Sequence, residues 1–217
     1  MAIPKTIYQT YSSWEEVPPI ARFHIWNMRR MNPAYEYVFY DDEGIIRFLT
    51  EAYEPEVYQL YSKLTIGAAK ADFFRYAVLL KNGGVYVDID SRVTGKLDKW
   101  VLPSDVAVIT KEKNPGMYVQ WALIFDKEHS FLKKTMEKVL DNIRTNRFPN
   151  SVHKTTGPSV FSEAIRECIE EDPDLPHRVY GCDYEGKINA KYWLSRFTFR
   201  NKEHWKLAQK TKQVVKE

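Results

Sequence analysis

The stretch between residues 65 and 90 leaves this chain little choice of architecture. Ile66, Ala69, Phe73, Tyr76, Ala77 and Leu80 recur at helical spacing, so residues 65–81 are expected to form a helix. Asn82-Gly83-Gly84 ends it, because glycine enters positive φ without a Cβ penalty. Val85-Tyr86-Val87 then reads as a short buried strand that closes in Asp88-Ile89-Asp90. A buried strand ending in two acids needs something to pair with them, since unpaired buried charge is costly. Alternate residues of an extended chain share a face, so Asp88 and Asp90 are expected to converge while Ile89 points into the core.

The flanking sequence repeats the alternation of strand and helix. Strands are expected at residues 5–11, 37–40, 106–110, 121–125 and 178–180, and helices at 19–31, after Asp41-Asp42, at 130–145 and at 158–171. Asp41 is suited to N-cap its helix, and Pro158 to the first turn of another. This order predicts an α/β fold, a single domain over residues 1–217 with a mostly parallel central sheet flanked by helices. Ligands of such sheets bind beyond the carboxyl ends of the strands, which is where Asp88 and Asp90 lie.

The chemistry follows from residue type. Paired carboxylates suit Mg²⁺ or Mn²⁺, which keep open positions for phosphate oxygens or water. Asp72 and Arg75, three residues apart on the preceding helix, share a face distinct from the Phe73, Tyr76, Leu80 stripe. They read either as a surface ion pair or as a clamp in which Asp accepts from sugar hydroxyls and Arg donates to hydroxyl or phosphate oxygens.

Charged residues, 28% of the chain with a net charge of +3, are scattered rather than gathered into a stripe, which argues against a nucleic-acid partner. The two cysteines, Cys168 and Cys182, form no C-x-x-C pair and are expected as free thiols in a reducing compartment. The opening residues show no apolar signal core, and no run approaches the roughly 20 apolar residues of a membrane span. The expectation is a cytoplasmic protein, bacterial or viral in setting. Tyr118 and Trp121 are candidates to stack on a sugar ring or to sit in the core.

Ala68-Ala69-Lys70-Ala71-Asp72-Phe73-Phe74-Arg75-Tyr76, followed by Gly83-Gly84-Val85-Tyr86-Val87-Asp88-Ile89-Asp90, resembles the signature of glycosyltransferase family 32. This is the DXD family of initiating mannosyltransferases and capsule enzymes, whose core is related to that of the large clostridial glucosylating toxins. Ile3-Pro4-Lys5-Thr6-Ile7-Tyr8-Gln9-Thr10 is similar to the family's opening strand, Asn32-Pro33-Ala34-Tyr35-Glu36 to a passage before its second strand, and Thr156-Gly157-Pro158 to a later step.

The resemblance implies a GT-A (Rossmann-like) fold and a UDP- or GDP-sugar donor. It implies that Asp90 binds the divalent metal, that Asp88 contacts ribose and helps hold the metal, and that Asp72 and Arg75 hold the donor sugar. It puts Tyr8, Gln9 and Thr10 beside the base and makes His204 a candidate metal or phosphate ligand. It further implies transfer of a hexose or deoxyhexose to a glycan or glycoconjugate with retention of configuration. Tyr8 departs from the histidine that many members carry. Two other classes stand beside this reading: a metal-dependent nucleotidyltransferase, and a non-catalytic nucleotide- or carbohydrate-binding domain.

Overall fold

The computed structural model describes residues 2–191 and 205–216. The chain runs β1 (Thr6–Thr10), α1 (Pro19–Met31), β2 (Glu36–Tyr40), α2 (Asp42–Ala52), α3 (Pro55–Ser62), α4 (Gly67–Asn82), β3 (Gly84–Val87) and β4 (Arg92–Val93). It continues through β5 (Ala107–Lys111), β6 (Ala122–Phe125), α5 (Ser130–Arg144), α6 (Val152–Thr155), α7 (Pro158–Glu171), β7 (Arg178–Cys182), β8 (Ile188–Asn189) and α8 (Trp205–Thr211). Among the described residues no helix is long and apolar enough to cross a membrane.

The main sheet has the order β2-β1-β3-β6-β5-β7. β1 pairs parallel with β2 and β3, and β5 pairs parallel with β7, whereas β6 runs antiparallel to both β3 and β5. The sheet is therefore mixed α/β and mostly parallel, with one reversed strand at its centre. That reversal brings the start of β6, rather than its end, to the edge where β3 delivers Asp88.

Local chemistry explains where the elements begin and end. Pro19 opens α1, and Asp41 caps α2 by accepting from the Gly44 N–H at 2.7 Å. The Gly83-Gly84 step is a packing requirement as well as a turn. A Cβ on Gly84, at φ +112°, would stand 2.8 Å from the Thr6 carbonyl oxygen of β1, and one on Gly83, at φ +65°, would stand 2.7 Å from the Lys127 nitrogen. Only glycine lets the chain turn out of α4 and slide between β1 and the turn that follows β6.

One face of the sheet packs on α4, α5 and α7 in the larger core; the other packs on α1 and the segment holding Val93, Leu97, Trp100 and Tyr184. Every residue of α4 from Asp72 to Leu80 is buried. The single apolar stripe expected there is incomplete, because Phe74, Val78 and Leu79 add apolar side chains on the remaining faces; a helix apolar all round sits inside the protein. Asp72 and Arg75 are accordingly no surface pair.

β4 and β8 form a two-stranded antiparallel ribbon, Arg92 opposite Asn189 and Val93 opposite Ile188. It ties the chain just after Asp90 to residues 182–191, assisted by the Ser91 hydroxyl donating to the Ala190 carbonyl at 3.0 Å. Before this ribbon, Asp183, Tyr184, Glu185 and Gly186 all have positive φ, between 47° and 76°. Three of them carry a Cβ, and each such residue costs roughly 1–2 kcal/mol in the left-handed region. Tyr184 holds the turn in place: it is buried, its N–H donates to the Thr110 hydroxyl at 3.2 Å, and its phenol donates to the Ala122 carbonyl at 3.0 Å.

Candidate active site

Arg75 is the centre of the site. It is 3% exposed, and its Nη2 lies 2.9 Å from Asp88 Oδ1 and 3.1 Å from Asp72 Oδ1. Its Nη1 donates to the Gln120 carbonyl at 2.7 Å, its Nε to the Ala71 carbonyl at 3.3 Å, and its guanidinium lies 4.9 Å from the Tyr86 ring centre. The pair of carboxylates raises the already basic guanidinium further, against the opposing effect of burial. Arg75 is thus a fixed cation that joins α4 to the end of β3.

Asp72 is 4% exposed and uses both carboxylate oxygens. Oδ1 accepts from the Gln120 amide at 3.0 Å as well as facing Arg75, and Oδ2 accepts from the Thr156 hydroxyl at 3.1 Å. Burial pushes its carboxyl up to about 6, with Arg75 and these hydrogen bonds opposing the shift. Tyr76 donates to the other end of the Gln120 amide at 2.8 Å. The expected sugar clamp is, in this geometry, largely closed on its own partners.

Asp88 shares its strand face with Tyr86, two residues earlier, whose hydroxyl donates to Asp88 Oδ1 at 3.0 Å. Oδ2 takes part in neither this bond nor the Arg75 contact. The Asp88 backbone is pinned too, its N–H by the Trp121 carbonyl at 2.8 Å and its carbonyl by the Gln9 amide at 3.2 Å. The extended geometry expected through Asp90 is not what forms: β3 ends at Val87, and the chain turns at Asp88, with the Ser91 N–H donating to the Asp88 carbonyl at 2.9 Å. Ile89 still packs on an apolar cluster with Val17, Ala21 and Ile25, which anchors the turn.

Burial raises the Asp88 carboxyl, with Arg75 opposing. Burial, and then the negative Asp88 beside it, pushes Asp90 up to about 6, while the Lys191 ammonium pulls both acids down. Among the described residues, Asp72, Asp88 and Asp90 stand against Arg75 and Lys191, one negative charge more than positive. Two crowded carboxylates at a strand end, one with an oxygen that takes part in neither the Tyr86 nor the Arg75 contact, are a donor set that suits a hard divalent cation. Among the described residues no group of three or more His, Cys, Asp or Glu gathers, so the other ligand positions would fall to phosphate oxygens and water. His204 lies outside the described residues.

The three opening-strand residues expected beside the base are buried. Tyr8 is 5% exposed and lies in the larger core, its ring 6.3 Å from Tyr40 and against Gly84, away from the carboxylates. Thr10 is buried and donates to the Tyr40 carbonyl at 2.8 Å. Gln9 is buried between Asp88 and Tyr37, whose hydroxyl donates to its amide oxygen at 3.2 Å. Of the three, Gln9 alone touches the site, as a support for the turn at Asp88. Gln120 had no sequence signal: it precedes a strand as an ordinary polar residue, and its partners are 44 to 48 positions away.

A mixed sheet with paired acids at the end of its third strand and helices on both faces has the architecture of the GT-A-type glycosyltransferase fold. Two solved structures share it: PaToxG glycosyltransferase, with a TM-score of 0.63 and 19% identity over 79% of this chain and 71% of that one, and the UDP-bound glycosyltransferase domain from the YGT toxin, with a TM-score of 0.58 and 10% identity over 83% of this chain and 79% of that one. Residues 21–107 match the family model described as glycosyltransferase sugar-binding region containing DXD motif.

Among curated relatives, an uncharacterized glycosyltransferase of Acanthamoeba polyphaga mimivirus is 29% identical over 79% of this chain and 68% of its own length. In Schizosaccharomyces pombe, an initiation-specific alpha-1,6-mannosyltransferase is 26% identical over 77% of this chain and 49% of its own length. Inositol phosphoceramide mannosyltransferase 3 of the same yeast is 29% identical over 80% of this chain and 47% of its own length. The chain spans about half the length of these yeast relatives.

Proposed function

We propose that this chain, acting as one unit over residues 1–217, transfers a hexose or deoxyhexose from a UDP- or GDP-sugar to a glycan or glycoconjugate hydroxyl, with retention of configuration. The observation that carries this reading is the Asp88–Asp90 pair held at the strand end by Arg75. Asp88 and Asp90 would hold Mn²⁺ or Mg²⁺, which supplies charge neutralisation for the leaving nucleoside diphosphate. Arg75, Tyr86 and the Gln9 amide fix Asp88 beforehand, which lowers the ordering cost of donor binding at that residue. Asp72 and Arg75 would reach the donor sugar by exchanging part of their contacts with Gln120 and Thr156, and Lys191 adds a positive charge on the carboxylate side of the site. The mannosyltransferase relatives make mannose the first hexose to test, and the UDP-bound neighbour keeps UDP beside GDP as a carrier. The reading includes a cytoplasmic setting, supported by the free thiols of Cys168 and Cys182.

The test is thermal unfolding with UDP or GDP, each with Mn²⁺ or with chelator. A ligand at 100 times its Kd stabilises by about 2.7 kcal/mol, which for a chain of this length is roughly 5–11 °C. The shift should need metal and should vanish in Asp90→Asn. If neither nucleotide moves the melting point in Mn²⁺, the transferase reading fails; if the shift survives in Asp90→Asn, that residue is not a ligand.

A further inference from the structure

A cavity of about 680 Å³ lies between the loop after β5 and the chain around β8, and two of its lining residues, Trp121 and Lys191, connect it to Asp88 and Asp90. Glu112, Asn114, Trp121, Asp183, Glu185 and Lys191 line it. Trp121 stands next to the site, because its carbonyl holds the Asp88 N–H at 2.8 Å. Its indole is half-buried and is fixed edge-on by Tyr184, with ring centres 5.9 Å apart at 74°. Next to it the left-handed run Asp183–Gly186, a conformation that the buried Tyr184 maintains, contributes Asp183 and Glu185 to the lining. Backbone strain of this kind, lining a cleft beside reactive groups, marks a place where side-chain direction matters.

The lining has a definite chemistry. A fixed indole provides an apolar platform, which suits the C–H face of a pyranose. Carboxylates and an amide around it accept from or donate to hydroxyls. Among the described lining residues three carboxylates stand beside two lysines, Lys113 and Lys191, and Lys191 is drawn toward Asp88 and Asp90. A phosphate or carboxylate on the occupant would meet like charge, which disfavours binding.

We propose that this cavity is the acceptor subsite and that it takes the terminal ring of a neutral glycan, stacked on Trp121 with its hydroxyls on Glu112 and Asp183, and rejects an anionic ring. The proposal rests on the transferase reading above. It differs from that reading in saying which hydroxyl-bearing partner enters and from which side.

Saturation-transfer NMR tests it without turnover, with methyl α-mannoside, methyl α-glucoside and methyl β-galactoside as neutral probes and mannose 6-phosphate as the anionic one. At least one neutral glycoside should bind saturably, and should still do so with UDP or GDP and Mn²⁺ present. Trp121→Ala should weaken that binding about tenfold, as loss of a central aromatic contact does. Glu112→Gln with Asp183→Asn, at positions outside the core, should weaken the neutral probe and strengthen mannose 6-phosphate. The proposal is overturned if no neutral glycoside saturates, if the sugar phosphate binds the wild type as well as they do, or if both variants bind like wild type. A protein that shows the nucleotide melting shift but no glycoside binding refutes this inference alone; one that shows neither refutes the transferase reading as well.

Discussion

Replacing Arg75 with methionine removes a buried charge while keeping an unbranched stem as far as the Nε position. Its Nη2 faces Asp72 at 3.1 Å and Asp88 at 2.9 Å, with side-chain exposures of 4% for the arginine, 5% for Asp72 and 25% for Asp88. Removing one partner of a buried ion pair costs about 3–5 kcal/mol, since the survivor remains desolvated. For a chain of this length that is roughly 6–20 °C in Tm. The loss also carries a pH signature. Asp72 already titrates at about 6, above its ordinary 3.8, with Arg75 opposing the rise. A carboxyl raised on folding holds its proton more tightly in the native state. Its contribution to stability is full below the unfolded value and is lost as pH rises through the folded one. In Arg75→Met the folded value climbs further, so the loss extends to higher pH, at about 1.4 kcal/mol for each pH unit over which the carboxyl is forced to ionise. Urea unfolding followed by circular dichroism, at about pH 5 and about pH 7.5, should therefore show a gap between variant and wild type that widens with pH. A neutral-pH gap under about 1 kcal/mol that does not widen would refute the account of Arg75 as the central brace.

Two further expectations concern the frame around the site. His129 caps α5 by accepting from the Phe131 N–H on Nδ1 at 3.2 Å, its Nε2 lies 3.0 Å from the Pro176 carbonyl, and burial lowers it below its ordinary 6.5. Its contribution is present above the unfolded value and lost as pH falls through the folded one, so His129→Asn, which caps without titrating, should flatten the acid limb of the Tm–pH curve. Gly84→Ala should cost roughly 1–3 kcal/mol in urea unfolding, from positive φ and the clash with Thr6, whereas Gly95→Ala, with open space around it, should stay within about 0.5 kcal/mol.

What the sequence made legible is local. Helix α4, the glycine step and the strand leading into Asp88 lie within 25 residues, and periodicity and glycine sterics specify them. The bounds of α1 and α7 coincide with the residues expected from their prolines and periodicity. What was not legible is long-range. The direction of β6 is not encoded in its apolar run, and two-residue strands such as β4 and β8 have no periodicity to detect. Gln120 and Thr156 become site residues only because α4 is buried among β6 and α6, which brings their polar groups to Asp72. The burial of Asp72 and Arg75 did have a signal, in the off-stripe Phe74, Val78 and Leu79, but an (i, i+3) charge pair reads first as solvated. The left-handed run before β8 has one glycine, Gly186, and is held by tertiary bonds to Tyr184 that no local pattern announces.

The reversed strand has a consequence for how such a chain can diversify. The groups proposed to grip the donor all come from one contiguous stretch, α4 to the turn at Asp90. The walls of the cavity beyond them come from the hairpin of β5 and β6 and from the ribbon with β8. Gln120 stands at the seam, its side chain holding Asp72 and its carbonyl holding Arg75. Insertions or exchanges in residues 112–118 can therefore reshape one half of the reaction centre while the other half stays clamped, provided that the chain re-enters at Gln120 in register. A graft that keeps this residue in place should change the recipient and spare the donor, which makes residue 120 the natural splice point for recombining the two halves.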